Sequence, residues 1–579
     1  MGSKQEAVGS KQKGSHSRFI ASLVAQGLPT ASAFCLLPSA YRLPPTAYRL
    51  LPFWTLMSDT LLLTGRDLTF GDFLGVALDY RPVGLDPDAV GAMNRSREVV
   101  ERIIRERRVV YGVTTGVGSL STEHIEPAKA RELQINVVRS HACGVGEPLA
   151  DAEARGLLLL RANGLARGLS GVRPAVAQLL CDFLNHRICP MIPARGSVGA
   201  SGDLAPLAHM ALALVGEGEV LYHHRRMRSR TAILSAGLDP LVLQAKEGLS
   251  LVNGTQAMLS VGLLALGQAE TMVDTADVAG SLSLDALRGS PVAFDDRLQQ
   301  ARPHPGQLAT ARNLARLNQG SRIRESHRGC ARVQDAYSLR CMPQVHGAVR
   351  DALAHARRVL EIEMNSVTDN PLVFVDEGEV LSGGNFHGQP LATSLDLIAI
   401  ALAQLGGISE RRTDRMVNPL TSDLPPFLTT EAGVESGFML AQVTAAALAS
   451  ENKIYAHPAS IDSIPTSGNK EDFVSMGMTA ALKLRPLLAN LGRILSIELL
   501  TACRALDLLA PLRSGSLAEG ARELVRSVSG SVHRDRPLAP DIARVAQLIE
   551  EGKFARIIRP SMPKSTAAGQ ETSGSGQLS

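Results

Sequence analysis

A mainly α-helical protein, with a long central helical bundle and a small N-terminal α+β region carrying Gly-rich loops, is the fold class this sequence predicts. Three observations predict it. Long segments of the second half place apolar residues at three- and four-residue spacing, strand signals are brief, and glycine runs lie between the helical segments rather than within them. On that pattern residues 57–255 form the N-terminal region and residues 256–560 the bundle and a C-terminal helical region.

Helical spacing appears first in Ser96–Arg107, Asp151–Arg167 and Val176–Arg187. The later segments Val345–Asn365, Gln389–Thr413, Glu435–Lys453 and Met476–Leu508 are longer and apolar on most faces, which favours packing inside a bundle over covering a sheet. Strands are expected at Leu61–Leu63 before a Thr64-Gly65 turn, at Val109–Val113, at Glu219–Tyr222, and in a hairpin over Leu372–Leu381 that turns at Asp376-Glu377-Gly378. Between residues 57 and 560 no internal repeat is visible. Apolar stretches such as Leu207–Val215 and Leu397–Leu405 fall short of the roughly 18 residues a membrane span needs.

The two ends read differently. Residues 1–56 hold six basic residues (Lys4, Lys11, Lys13, Arg18, Arg42, Arg49) and one acid, Glu6. They also repeat Ala40-Tyr41-Arg42-Leu43 as Ala47-Tyr48-Arg49-Leu50 and contain the single tryptophan, Trp54. This stretch imitates a transit or signal peptide, but its apolar part is broken by Gln26, Gly27 and Pro29; a mis-called start, with the ordered chain beginning at Met57, is the preferred reading. Residues 561–579, rich in Ser, Thr, Gly and Gln, are expected to be disordered. The net charge of +4 resides in the N-terminal stretch, and the rest of the chain is close to neutral at −1. A body without net positive charge has no long-range attraction for phosphate backbones, so neither a nucleic-acid nor a membrane partner is expected. Seven scattered cysteines (Cys35, Cys143, Cys181, Cys189, Cys330, Cys341, Cys503) without a C-x-x-C pair point to reduced thiols in a cytoplasmic protein and to no metal site.

The unusual residues lie in the loops. Gly196-Ser197-Val198-Gly199-Ala200-Ser201-Gly202-Asp203 lacks the ending of a P-loop and the spacing of a dinucleotide loop. Nor is it a hydrolase elbow, because Asp203 occupies the place of the second glycine. It offers a small, sterically open Ala-Ser-Gly. There the Gly202 nitrogen can bend back on the Ala200 carbonyl, and loss of water from Ser201 would leave a conjugated methylidene.

This segment resembles the cofactor loop of the aromatic amino acid lyases, the family of histidine, phenylalanine and tyrosine ammonia-lyases and related aminomutases. Further blocks resemble the family in its order: Tyr111-Gly112-Val113-Thr114-Thr115-Gly116, Arg139-Ser140-His141, Leu251-Val252-Asn253-Gly254-Thr255, Gln334-Asp335-Ala336-Tyr337-Ser338-Leu339-Arg340, Gly383-Gly384-Asn385-Phe386-His387 and Glu471-Asp472-Phe473-Val474-Ser475-Met476. The resemblance runs from about Met57 to about Arg559. It implies a methylidene-imidazolone formed autocatalytically from Ala200-Ser201-Gly202, no external cofactor, and an amino acid substrate whose amine the electrophile captures. It also implies a homotetramer whose sites combine loops from several subunits.

The resemblance assigns roles residue by residue. Tyr111 is the base for a barely acidic β-proton, and since free tyrosine titrates near ~10 its surroundings must depress it. Arg340 matches the substrate-carboxylate partner, where its fork bonds both oxygens. Asn253 and Tyr337 match residues that hold the cofactor and the amine. His141, Gln334, Phe386 and Glu471 match substrate-pocket positions. A glutamate at the place of Glu471 accompanies histidine lyases, and a carboxylate suits an imidazole that donates a hydrogen bond and becomes cationic near ~6.5. Elimination of ammonia from L-histidine to urocanate is therefore the expected reaction. A tyrosine or phenylalanine lyase, or an aminomutase, on the same scaffold is the alternative, to which Thr114 and Asn385–Pro390 bear more likeness.

Overall fold

The computed structural model describes residues 60–559 apart from Ala331. The N-terminal stretch with Cys35, Trp54 and Met57, and the C-terminal tail, lie outside the described residues.

Short helices and small sheets make up the N-terminal region. Leu61–Leu63 pairs in parallel with Val83–Leu85, Val145–Pro148 runs antiparallel to Pro193–Arg195, and Glu219–Tyr222 is flanked by Cys189–Pro190 and Arg225–Arg228. Its helices include α1 (Ala130–His141), α2 (Asp151–Ala166), α3 (Leu204–Leu214) and the short α4 (Glu247–Val252). The expected strand over Val109–Val113 does not form. Thr114 closes a turn there instead: its hydroxyl donates to the Arg108 carbonyl at 2.6 Å and accepts the Val110 N–H at 2.9 Å, while Gly112 adopts φ +66°. Two such side-chain bonds satisfy backbone groups that a strand would have left to a neighbour. The Leu372–Phe374 and Glu379–Leu381 hairpin forms as expected.

Five long helices build the bundle: α5 (Gln256–Ala286), α6 (Met342–Met364), α7 (Gln389–Val417), α8 (Met439–Tyr455) and α9 (Leu484–Asp507). Helices α5 and α7 pack on each other and each on α6 and α9, and α8 lies against α7 and α9. Helix α5 is buried along almost its whole length and also packs on α2, so it joins the bundle to the N-terminal region. Its small and polar positions (Ser, Thr, Gly, Asp) hide it from an apolar-spacing argument, and it is absent from the sequence-based set. The expected Met476–Leu508 helix breaks at Lys483 into Gly477–Leu482 and α9, and α8 starts at Met439 because Gly437 sits at φ +55°. Helix α7 and the Gly477–Asp507 stretch are long and apolar enough by composition to cross a membrane. Their apolar windows, however, are 61% and 83% buried within the fold, as for core helices.

Charged groups sit inside this bundle, and several of them pair with one another. Arg412 of α7 grips Glu498 of α9, which also accepts the Ser283 and Ser409 hydroxyls, and His346 bridges Asp277 and Arg412. Pairing is what makes such burial tolerable. The six described cysteines are free thiols; burial pushes Cys181 and Cys503 up to about 12.

Candidate active site

A cleft of about 1220 Å³ opens where the N-terminal loops meet the first turns of the bundle. Tyr111, His141, Ala200, Ser201, Asn253, Phe386 and Glu471 line it. These side chains come from segments up to 360 residues apart in sequence, brought together by backbone contacts at three loops.

The first loop is the tripeptide. Gly202 takes φ +73° and bridges to Gly254 so closely that a Cβ on Gly202 would collide with the Gly254 carbonyl. Both positions therefore require glycine. The next residue, Asp203, donates its N–H to that carbonyl at 2.6 Å and sends its carboxylate beneath the loop, accepting Met258 N–H at 2.8 Å and the Ser197 hydroxyl at 2.9 Å. Ser475 donates to the Gly199 carbonyl at 3.0 Å, and Met476 N–H to the Val198 carbonyl at 2.8 Å. Ala200 is buried, while the partly exposed Ser201 borders the cleft. The segment is held bent and anchored at both ends.

Tyr111 follows from the turn that replaces the expected strand. A Cβ on Gly112 would strike Leu249 of α4, so the turn packs directly on the helix that ends at Asn253. The Tyr111 hydroxyl accepts the Gly118 N–H at 3.1 Å. His141 ends α1, and its Nδ1 lies 2.8 Å from the Val137 carbonyl. A carbonyl only accepts, so Nδ1 carries hydrogen and Nε2 is the acceptor of the neutral ring. Glu471 is fixed by the Thr466 hydroxyl, which donates to Oε2 at 2.7 Å, and its Oε1 stands 3.5 Å from Ser201 Oγ. Phe386 sits in the loop after the hairpin, where Gly383 N–H is held by Asn370 Oδ1 at 2.7 Å.

Gln334, Tyr337 and Arg340 are not brought to this cleft. They lie on a separate segment before α6; Gln334 is exposed, Tyr337 is 71% exposed, and the Arg340 guanidinium lies 4.6 Å over the Tyr337 ring. Arg340 makes no ion pair among the described residues, which argues against its being an ordinary surface ion-pair partner. Thr114 faces its own turn rather than the cleft, so its likeness to aminomutases carries no direct contact with a substrate.

Several groups at the site escape sequence reasoning. Ser197, Thr466, Ser475 and Asp203 brace the loops, and Lys246, Asp369 and Arg161 form a buried charged cluster behind Asn253. Burial lowers Arg161 to about 10, so it stays protonated at neutral pH. Asp203, Ser197 and Ser475 lie within motif segments that the sequence marks, but without a bracing role; the others are common residue types whose role depends on long-range contacts.

Burial raises the Asp203 carboxyl from 3.8 to about 6, partly offset by its hydrogen bonds from Met258 and Ser197. The folded state thus holds this proton more tightly than the unfolded chain. The associated stability is fully present below about pH 4 and lost as pH rises through about 6, a change of about 3 kcal/mol. Asp203→Asn lacks that titration. Thermal midpoints of both proteins between about pH 4 and pH 7 should show wild type losing ground to the variant as pH rises; a constant gap contradicts the assignment.

Comparison with known proteins places this geometry in a family. The family model described as aromatic amino acid lyase matches residues 68–527. A histidine ammonia-lyase of Koribacter versatilis is 54% identical over 512 residues, covering 86% of this chain and 99% of that protein. One from Myxococcus xanthus is 50% identical over 499 residues, covering 86% and 98%. Among solved structures, histidine ammonia-lyase from Trypanosoma cruzi superposes with a TM-score of 0.80 at 40% identity, covering 87% of this chain and 96% of that one. A tyrosine aminomutase from Streptomyces globisporus superposes with a TM-score of 0.82 at 40% identity, covering 86% and 98%. The chain belongs to the aromatic amino acid lyase family.

Proposed function

We propose that this enzyme is a histidine ammonia-lyase, removing ammonia from L-histidine without oxidation to give urocanate. The observation that carries the reading is the placement of Glu471: a braced carboxylate in the cleft, 3.5 Å from the Ser201 hydroxyl and fixed by Thr466. A hydrocarbon ring would leave that carboxylate desolvated without compensation, whereas an imidazole N–H gives it a partner. The relatives named histidine ammonia-lyase, at 50–54% identity, support the same substrate over the tyrosine aminomutase at 40%.

Ala200-Ser201-Gly202 is proposed to become the methylidene-imidazolone. The Gly202 nitrogen bonds to the Ala200 carbonyl carbon, whose oxygen leaves as water, and Ser201 then loses its hydroxyl and Hα as a second water. The left-handed Gly202, its lack of a Cβ and the anchors on Val198, Gly199 and Asp203 fit that ring closure. Once formed, the group supplies an electrophile that captures the substrate amine and turns it into a better leaving group. Tyr111 stands across the cleft as the base that takes the β-proton, and His141 offers Nε2 as an acceptor. Phe386 supplies an apolar wall and Asn253 a polar group for the amine.

Gln334, Tyr337 and Arg340 are proposed to serve the cleft of another subunit in a homotetramer. The unpaired Arg340, the exposed Tyr337 and the apolar outer face of α8 (Leu440, Val443, Ile454) support this arrangement. On it, Arg340 binds the substrate carboxylate, Tyr337 holds the amine and Gln334 completes the pocket.

Ultraviolet spectra of products from L-histidine, L-tyrosine and L-phenylalanine test the substrate. Urocanate from histidine alone is expected, with Glu471→Gln eroding that preference; coumarate or cinnamate as the main product contradicts the role of Glu471. A hybrid experiment tests the shared site. Tyr111→Phe should be nearly inactive alone, and Arg340→Met should lose roughly 10- to 100-fold in kcat/KM for a charge-assisted bond of about 1.5–3 kcal/mol. Co-expression of the two chains should recover activity, because some mixed clefts receive both intact groups. No recovery in mixed assemblies places all groups in one chain and contradicts the shared site.

A further inference from the structure

Behind the cleft wall, Lys246, Asp369 and Arg161 are each almost fully buried, and the reaction outlined above uses none of them. Lys246 adopts φ +72° at the start of α4 and places Nζ 3.0 Å from Asp369 Oδ2 and 2.8 Å from the Ser250 hydroxyl. Arg161 of α2 donates to the Asn253 carbonyl at 2.9 Å and to Gln256 Oε1 at 3.1 Å. Three charges buried this deeply, two cations and one anion, are an expensive way to join a short helix to a loop.

The chemistry of the anion gives them a purpose. Asp369 Oδ1 accepts the Asn370 N–H at 2.7 Å and faces Asn253 Nδ2 at 3.5 Å; Nδ2 also donates to the Asn370 carbonyl at 3.1 Å. An ionised carboxylate only accepts, so it admits the NH2 end of the Asn253 amide and rejects the oxygen end. A protonated or neutral group at 369 would lose that selectivity. Burial alone favours protonation of Asp369, and the attraction of Lys246 and Arg161 overcomes it, holding the carboxyl below its usual range. With the NH2 end committed to Asp369 and Asn370, Asn253 Oδ1 is left buried, without a donor from the described residues, in a side chain that borders the cleft.

We propose that Asp369, held by Lys246, is a positioning residue for ammonia elimination: it orients the Asn253 amide and the Asn370 backbone so that Asn253 Oδ1 meets the substrate amine as an acceptor. The proposal rests on the ammonia-lyase reading given above. An acceptor at that point holds one N–H of the substrate and so sets the direction of the nitrogen lone pair. The cluster acts only through Asn253, and a group that acts through another shows no effect once that other is gone.

The test is a double-mutant cycle on the full-length enzyme with L-histidine. Asp369→Asn leaves Lys246 unpaired, so Lys246→Met/Asp369→Asn, which removes both charges, is measured beside it. Each of Asn253→Ala and the double variant is expected to lower kcat by roughly 10- to 100-fold, with KM little changed, and their combination to lower it no further. Wild-type kcat in the folded double variant overturns the proposal, as do losses that multiply with Asn253→Ala. A structure at a resolution that distinguishes amide nitrogen from oxygen reads the orientation independently of activity. Nδ2 toward Asp369 is expected in the wild type, and the oxygen on that side overturns the proposal even if the variants fail to fold. Absence of urocanate from the wild-type enzyme, by contrast, sinks the functional reading before any variant is compared.

Discussion

The contact between Gly202 and Gly254 is the constraint on which the rest of the site depends. Two backbones meet there with no side chain between them, and Asp203 N–H closes the junction on the Gly254 carbonyl. One strand of the junction leads straight into α3 and the other into α5, so the first turns of two helices converge on the tripeptide. Asp203 ties the two helices together by accepting from Met258 at the first turn of α5. Any side chain at either glycine separates these elements.

The architecture divides the work between rigid and adaptable parts. The bundle supplies long helices locked by paired charges such as Arg412 with Glu498, and its ends fix where the loops begin. Loops and helix ends supply the side chains that line the cleft, each steadied by a short local bond: Tyr111 by Gly118, Glu471 by Thr466, His141 by Val137. Functional groups on loops held by a rigid scaffold can vary without disturbing the core. That division accounts for one scaffold whose relatives carry both lyase and aminomutase names. Arg340 and Tyr337 lie before α6, outside the cleft formed by the described residues of their own chain.

Much of this was legible in the sequence, for physical reasons. The bundle helices other than α5 announce themselves by apolar spacing, and Ala200-Ser201-Gly202 by being small and flanked by glycine. What stayed hidden follows from contacts that no local pattern encodes. Helix α5 is buried on every side, so its Ser, Thr and Asp positions break the apolar stripe without exposing it to water. Val109–Val113 has strand propensity, but Thr114 bonds the backbone into a turn and Gly112 permits the approach to Leu249. Lys246 and Asp369, 123 residues apart, meet only because α4 and the loop before the hairpin share one face. The motif blocks also listed Gln334, Tyr337 and Arg340 beside the other site residues, with nothing in the linear order to separate them in space.

Ammonia elimination in this enzyme requires that the tripeptide closes. Mass spectrometry of the proteolytic peptide spanning Ala200-Ser201-Gly202, from protein purified without added substrate, measures this directly. The expected peptide is lighter than its sequence by two water molecules, with the loss confined to those three residues and abolished in Ser201→Ala. An unmodified mass in a correctly folded protein would contradict it.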